Sequence, residues 1–197
     1  MPSGRYEVIG EDGEPEGEES FRSAPGPAGW RYVADMTGAG EGAVDLVADG
    51  AWNVVRVRFR SPAGELLLER QGDRLVGVRN GETLEFPWRP QLHVDVFSPV
   101  TNLASTKRLK GTREIEVLYV DRDTLDITST SQRYELLGDQ RVETPVGSFD
   151  ATRWRFVALD SGWTSDLWVS GDVVVKYERT FELLAYAPGA TGPHAIS

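Results

Sequence analysis

The run NVVRVRFR, residues 53–60, constrains the fold more than any other part of the chain. Val55, Val57 and Phe59 fall on one side of an extended backbone, and Arg56, Arg58 and Arg60 fall on the other. A period of two is that of a strand with one dry face. Unpaired cations are costly to bury, so the apolar side is the inward one. The next three segments, ELLLERQ, RLVGVRN and ETLEF, repeat the extended pattern and are joined at Gly72-Asp73 and Asn80-Gly81. An Asn-Gly pair suits the positive φ angles of a two-residue hairpin turn, so residues 53–86 read as an antiparallel meander. Beyond Lys110-Gly111 the pattern resumes, with Ile115, Val117 and Tyr119 opposite Glu114 and Glu116. DITSTSQRYELL, SFDATRWRFVAL, WTSDLWVS and VVVKYERTFELLAY follow.

No long window holds a period of 3.6 residues, although residues 92–109 have room for a short helix. So many strands must remove their edges by closing on themselves. The expectation is an all-β fold: a single domain over residues 1–197, built from one curved antiparallel sheet that forms a β-roll or barrel with an interior cavity and few short helices. A chain of this length commonly makes one such domain. The six Trp, six Tyr and seven Phe spread along the strands can line such a cavity, or they can fill it as ordinary core. Both outcomes fit the pattern.

Two segments read differently. Residues 11–29 are crowded with Glu, Gly and Pro, and the expectation there is a mobile acidic loop. Residues 187–197 lack apolar periodicity and read as a frayed tail, which leaves His194 without a role. The 21 basic and 31 acidic side chains give a formal charge of -10, the wrong sign for a partner made of phosphates. Nucleic acid is therefore not an expected partner. There is no cysteine, which excludes disulfides and thiolate chemistry. No stretch approaches roughly 18 uninterrupted apolar residues, and no basic segment followed by an apolar one opens the chain. The expectation is a cytoplasmic protein with no stable membrane anchoring.

The polar stretch DVFSPVTNLASTKRL, residues 95–109, interrupts the strands. Ser, Pro, Thr and Asn fold a chain back on its own backbone, and Thr101 or Asn102 can cap a short helix. The same hydroxyl and amide can instead face a cavity and fix the polar end of a ligand, with Phe97 beside them and Arg108 at the rim. His93 and Asp95, two apart, share a strand face and could act as an acid-base pair. They could also be two ligands of a metal, but no third ligand has a recognisable spacing, so neither a metal nor any other cofactor is expected. Tyr134 shares a strand face with Gln132, and a buried phenol there needs a hydrogen-bond partner. Trp52, Phe59, Trp88, Trp154 and Trp168 are candidates for an apolar wall. Nothing resembles a nucleophile elbow, a phosphate-binding loop or a dinucleotide fingerprint.

Asp95, Ser98-Pro99-Val100-Thr101-Asn102 and Arg108-Leu109 resemble a bacterial family described as glycolipid-binding. In that family an Asp-rich strand end leads to Thr-Pro-Phe-Thr-Asn and then an Arg-Leu pair. AVDLVADGAWNVVRVRF, TSQRYELL and DLWVSGDVVVKYERTFEL are similar to other segments of it, so that residues 44–184 can be laid along the family. Ser98 and Val100 depart from its usual Thr and Phe, and the Thr144-Pro145-Val146-Gly147 hairpin is an addition. The resemblance implies a rolled sheet around a large apolar cavity. Two functions follow from it. One is binding of an elongated apolar small molecule, such as a lipid, glycolipid or polyketide-like compound. The other is a cofactor-independent cyclase or isomerase of a natural-product pathway, working in the same pocket by holding reacting ends together. A core-filled protein that meets only other proteins is a third reading, and the oligomeric state is not encoded in any recognisable pattern.

Overall fold

The computed structural model describes residues 1–26, 29–38, 40–90 and 92–189, so much of the tail, His194 included, lies outside the described residues. The described chain forms one curled sheet. β1 (Ser3–Ile9), β2 (Pro15–Gly26), β3 (Gly29–Gly38), β4 (Gly42–Asp49), β5 (Val54–Ser61), β6 (Gly64–Gln71), β7 (Arg74–Arg79) and β8 (Glu82–Pro87) run as consecutive neighbours. On the other side of β1 lies the last strand, β15 (Phe181–Ala187). Continuing outward from it are β14 (Val173–Tyr177), β13 (Thr164–Ser170), β12 (Gly147–Ala158), β11 (Ile127–Thr144), β10 (Arg113–Val120) and β9 (Leu92–Val96). The sheet is therefore a meander whose two chain ends meet in its middle, with Tyr6 of β1 opposite Leu183 of β15. It is not closed by hydrogen bonds, but it curls far enough for β9 at one edge to lie against β5.

Alternation accounts for most of the core. Val44 and Leu46 of β4 stand opposite Phe59 and Val57 of β5, with Leu66 and Leu68 of β6 next along, and all are buried. Arg58 and Arg56 point outward, to Glu65 at 2.8 Å and Asp45 at 3.0 Å. The expected inward position of Val55 belongs to Val54: the register shifts between Val47 and Ala48, so Val54 pairs with Ala48 and is buried while Val55 is only half-buried. A bulge at the strand's start moves one residue to the other face. The two turns placed from the sequence form where expected, with φ of 64° at Gly72 and of 49° and 91° at Asn80 and Gly81.

The mobile loop expected over residues 11–29 is corrected: Pro15–Gly26 is a strand hydrogen-bonded on both sides, to β1 and to β3. Glu19, Phe21 and Ser23 alternate inward from it, and Phe21 stacks between Tyr6 and Tyr32 with ring centroids 5.1 and 5.2 Å away. The pairing satisfies the backbone of a segment whose composition alone promises little burial.

Every pair of neighbouring strands is antiparallel except β9 and β10, which are parallel. A parallel pair needs a crossover, and here it contains the one helix among the described residues, α1 (Pro99–Arg108). Ser98, not Thr101 or Asn102, is its N-cap, with Pro99 in its first turn. The first eight residues of α1 are all buried, and the helix packs on β9 and β14. It plugs the inside of the curl.

Candidate functional site

Because α1 is buried, its polar side chains and its N-cap must find partners indoors, and these come from β9, β11 and β2. Asp95 of β9 accepts from the Thr101 hydroxyl at 2.7 Å and from Gln132 Nε2 of β11 at 2.6 Å. Asn102 Nδ2 donates to the Tyr134 hydroxyl at 2.9 Å. His93 Nδ1 and Ser105 Oγ lie 2.8 Å apart. Ser98 donates to the carboxylate of Glu19 at 3.1 Å, and Tyr32 donates to the same oxygen at 2.8 Å.

These contacts set the charges. Burial raises the pKa of the Asp95 carboxyl against the lowering effect of Thr101 and Gln132. Burial and the neighbouring Asp95 push the Tyr134 phenol up as well. Burial, helped by the charge of Arg108, depresses the His93 imidazole to about 3, so His93 is neutral at ordinary pH. Glu19 is fully buried, and desolvation raises its carboxyl to about 7 despite the two hydroxyls that favour its charge.

A cleft of about 790 Å³ opens over the N-terminal half of α1. Its floor is Asp95, Asn102, Gln132 and Tyr177. Its walls are a chain of aromatic rings running Phe156, Trp163, Tyr177, Phe181, Phe97, with successive centroids 5.5, 6.4, 6.1 and 5.1 Å apart. Trp163 is 40% exposed, while the other four rings are mostly covered. A groove of about 650 Å³, lined in part by Thr106, Lys107 and Trp154, lies at the other end of the helix.

Of the residues singled out in the sequence, Asp95, Phe97, Asn102 and Gln132 line the larger cleft together. Thr101 and Tyr134 stand behind it, holding Asp95 and Asn102. The His93–Asp95 couple is corrected: both face the helix, but His93 is turned to Ser105, is outside the cleft lining and is held neutral by burial. The place of Phe59 is corrected too, since it is packed in the core of the meander at 1% exposure and borders neither the cleft nor the groove. Arg108 caps Leu92 O at 3.1 Å instead of standing at the cleft rim. Trp52 packs on Trp30 at 4.8 Å, and Trp88 lies under the Arg70 guanidinium at 4.5 Å. Trp168 is sandwiched between Arg153 and Lys176, each 5.0 Å from its ring. Sequence reasoning missed Phe156, Trp163, Tyr177 and Phe181, which reach the cleft from β12, the loop after it, β14 and the start of β15.

No protein-family model and no curated protein matches the chain. Two solved structures share its fold. A DUF1089 family protein from Pseudomonas aeruginosa is 22% identical, with 90% of each chain covered and a TM-score of 0.53. A beta-barrel-like protein of a domain of unknown function, DUF1849, from Brucella abortus is 8% identical, with 96% of this chain and 98% of that one covered and a TM-score of 0.56. The fold is β-barrel-like, and at these identities the likeness is one of fold alone.

Proposed function

We propose that the protein binds a small molecule with an elongated apolar body in the cleft above α1, with the polar end of the ligand on Asp95, Asn102, Gln132 and Tyr177. The observation that carries this reading is the cleft itself. A space of about 790 Å³ with a continuous aromatic wall and a few convergent polar groups has the size and make-up of a small-molecule site. Trp163 offers an exposed ring to a chain or ring system, backed by the covered rings packed behind it, and the polar floor is fixed in place by a helix that cannot move without breaking buried hydrogen bonds. The sequence resemblance to the glycolipid-binding family is consistent with a lipid-like body. The cyclase alternative has less behind it, because the histidine that would have been its base is turned away from the cleft.

Binding of N-phenyl-1-naphthylamine tests the reading. Its fluorescence should rise on addition of the protein with saturable, micromolar affinity, and Trp163→Ala together with Phe156→Ala should weaken it at least tenfold. A probe that fails to bind, or binds the double variant equally well, would overturn the assignment.

A further inference from the structure

The charges around the cleft have an uneven distribution. Glu11, Glu16, Asp95 and Asp160 line it, and none of the four is within an ion pair's reach of a cation among the described residues. Asp160 is held by uncharged donors, Thr130 Oγ1 at 3.1 Å and the Ser161 amide at 2.7 Å. The lining also holds two cations, Arg122 and Arg179. The Arg122 guanidinium lies over the Phe97 ring at 4.7 Å and reaches Asp123 at 3.8 Å, and Arg179 donates to the Thr164 carbonyl at 2.5 Å. The lining therefore carries four carboxylates against two guanidiniums, an excess of negative charge that low-dielectric walls concentrate.

Two further observations bear on the same question. Gln132 is 4% exposed and spends its amide nitrogen on Asp95, so its Oε1 is left as an acceptor without a partner among the described residues, on a side chain that lines the cleft. The wall is the chain of five rings from Phe156 to Phe97, whose π faces attract cations and hold alkylammonium groups without needing hydrogen bonds. Carboxylates, a carbonyl oxygen and aromatic faces all favour the same chemistry, whereas a carboxylate or phosphate head would meet twice as many carboxylates as guanidiniums in the lining.

From this juxtaposition, and resting on the cleft being a binding site, we infer that the polar end of its ligand is an organic cation: an alkylammonium or quaternary ammonium group seated between Asp95, Gln132 and the aromatic wall. The whole chain's charge of -10 draws such a ligand in from solution.

The test is a set of four eight-carbon probes that share one apolar body: octyltrimethylammonium, octylammonium, 1-octanol and octanoate. Each is titrated calorimetrically into the intact protein at low ionic strength and below its micelle concentration. The two cations should bind at least about tenfold more tightly than the alcohol, with octanoate weakest. Asp95→Asn keeps the side chain's shape and should shrink the gap between cation and alcohol at least threefold. Trp163→Ala, at a 40% exposed position in the loop after β12, should weaken the trimethylammonium probe more than the alcohol. Equal affinities, or octanoate ahead of the cations, would overturn the cation assignment and leave the apolar cleft standing. Absence of binding by all four would overturn both. An unchanged cation-to-alcohol ratio in both variants would move the cation's seat away from this cleft and overturn the inference as well.

Discussion

Glu19→Gln is the most informative single change, because it removes one ionisation from the middle of the structure and almost nothing else. The Glu19 carboxyl is completely buried at the N-terminal end of α1, and one oxygen accepts from Tyr32 and Ser98 while the other, Oε2, has no partner among the described residues. Desolvation outweighs the two hydroxyls and lifts the carboxyl from an ordinary 4.5 to about 7. The native state thus holds this proton more tightly than the unfolded chain does. The stability it contributes is full below pH 4.5 and is lost as the pH rises to about 7. The loss amounts to about 3 kcal/mol at the alkaline limit, of which roughly 2 kcal/mol falls between pH 5 and pH 8. Glutamine preserves the oxygen that Tyr32 and Ser98 need and cannot ionise, but it turns the unpartnered oxygen into an amide donor. That unmade hydrogen bond costs about 1 to 3 kcal/mol at every pH alike. Urea unfolding of both chains at pH 5, 6, 7 and 8 should therefore show the variant less stable at pH 5 and gaining roughly 2 kcal/mol on the parent by pH 8. A stability difference that stays constant across that range would refute the buried, neutral carboxyl.

Phe59→Ala should lower unfolding stability by about 3 to 5 kcal/mol, because Phe59 is packed between Val44 and Leu66 in a filled part of the interior. Urea unfolding giving a loss below about 1 kcal/mol would mean a void beside the ring. His93 should remain neutral to well below pH 6.5, because burial and Arg108 hold its imidazole down at about 3. Its contribution to stability is present above pH 6.5 and is lost as the pH falls towards 3, and a ring-proton NMR titration with a midpoint near 6.5 would show that the ring is open to water.

What could be read from the sequence followed the physics of alternation. The meander declared itself in residues 53–86 because β5 has one apolar and one charged face and the turns at Gly72-Asp73 and Asn80-Gly81 carry residues suited to positive φ. β2 did not, because its inward positions are Glu19, Phe21 and Ser23, so that a charged and a hydroxyl side chain stand where apolar ones mark a core face. The pattern EESFRSA does alternate about Phe21, and that single ring at the centre of an acidic run was the available signal. Val54 was hidden for another reason: a bulge changes which residue is inward without changing any residue's character. The aromatic wall had no local signature at all. Phe156, Trp163, Tyr177 and Phe181 become neighbours only once β12, β14 and β15 curl around α1, and each looks like ordinary strand or loop content in its own segment.

The polar run at residues 95–109 was conspicuous, and the parallel pairing of β9 and β10 explains why. An antiparallel partner can be reached by a tight turn, but a parallel one obliges the chain to return along the sheet, and here the return passes through the interior. A helix placed there is surrounded on its flanks, so an apolar helix would have served packing alone. This one carries Thr101, Asn102, Ser105 and Thr106 indoors, and the sheet meets them with Asp95, Tyr134 and His93. Such pairs contribute little net stability over well-packed apolar substitutes, while a mispaired one costs more than a good one gains. What they do enforce is position: α1 can satisfy them in one register only. The result is a floor in which Thr101 and Tyr134 hold Asp95 and Asn102 from behind and Asp95 in turn holds Gln132, and that rigidity is what the proposed binding role asks of the elements beneath the cleft.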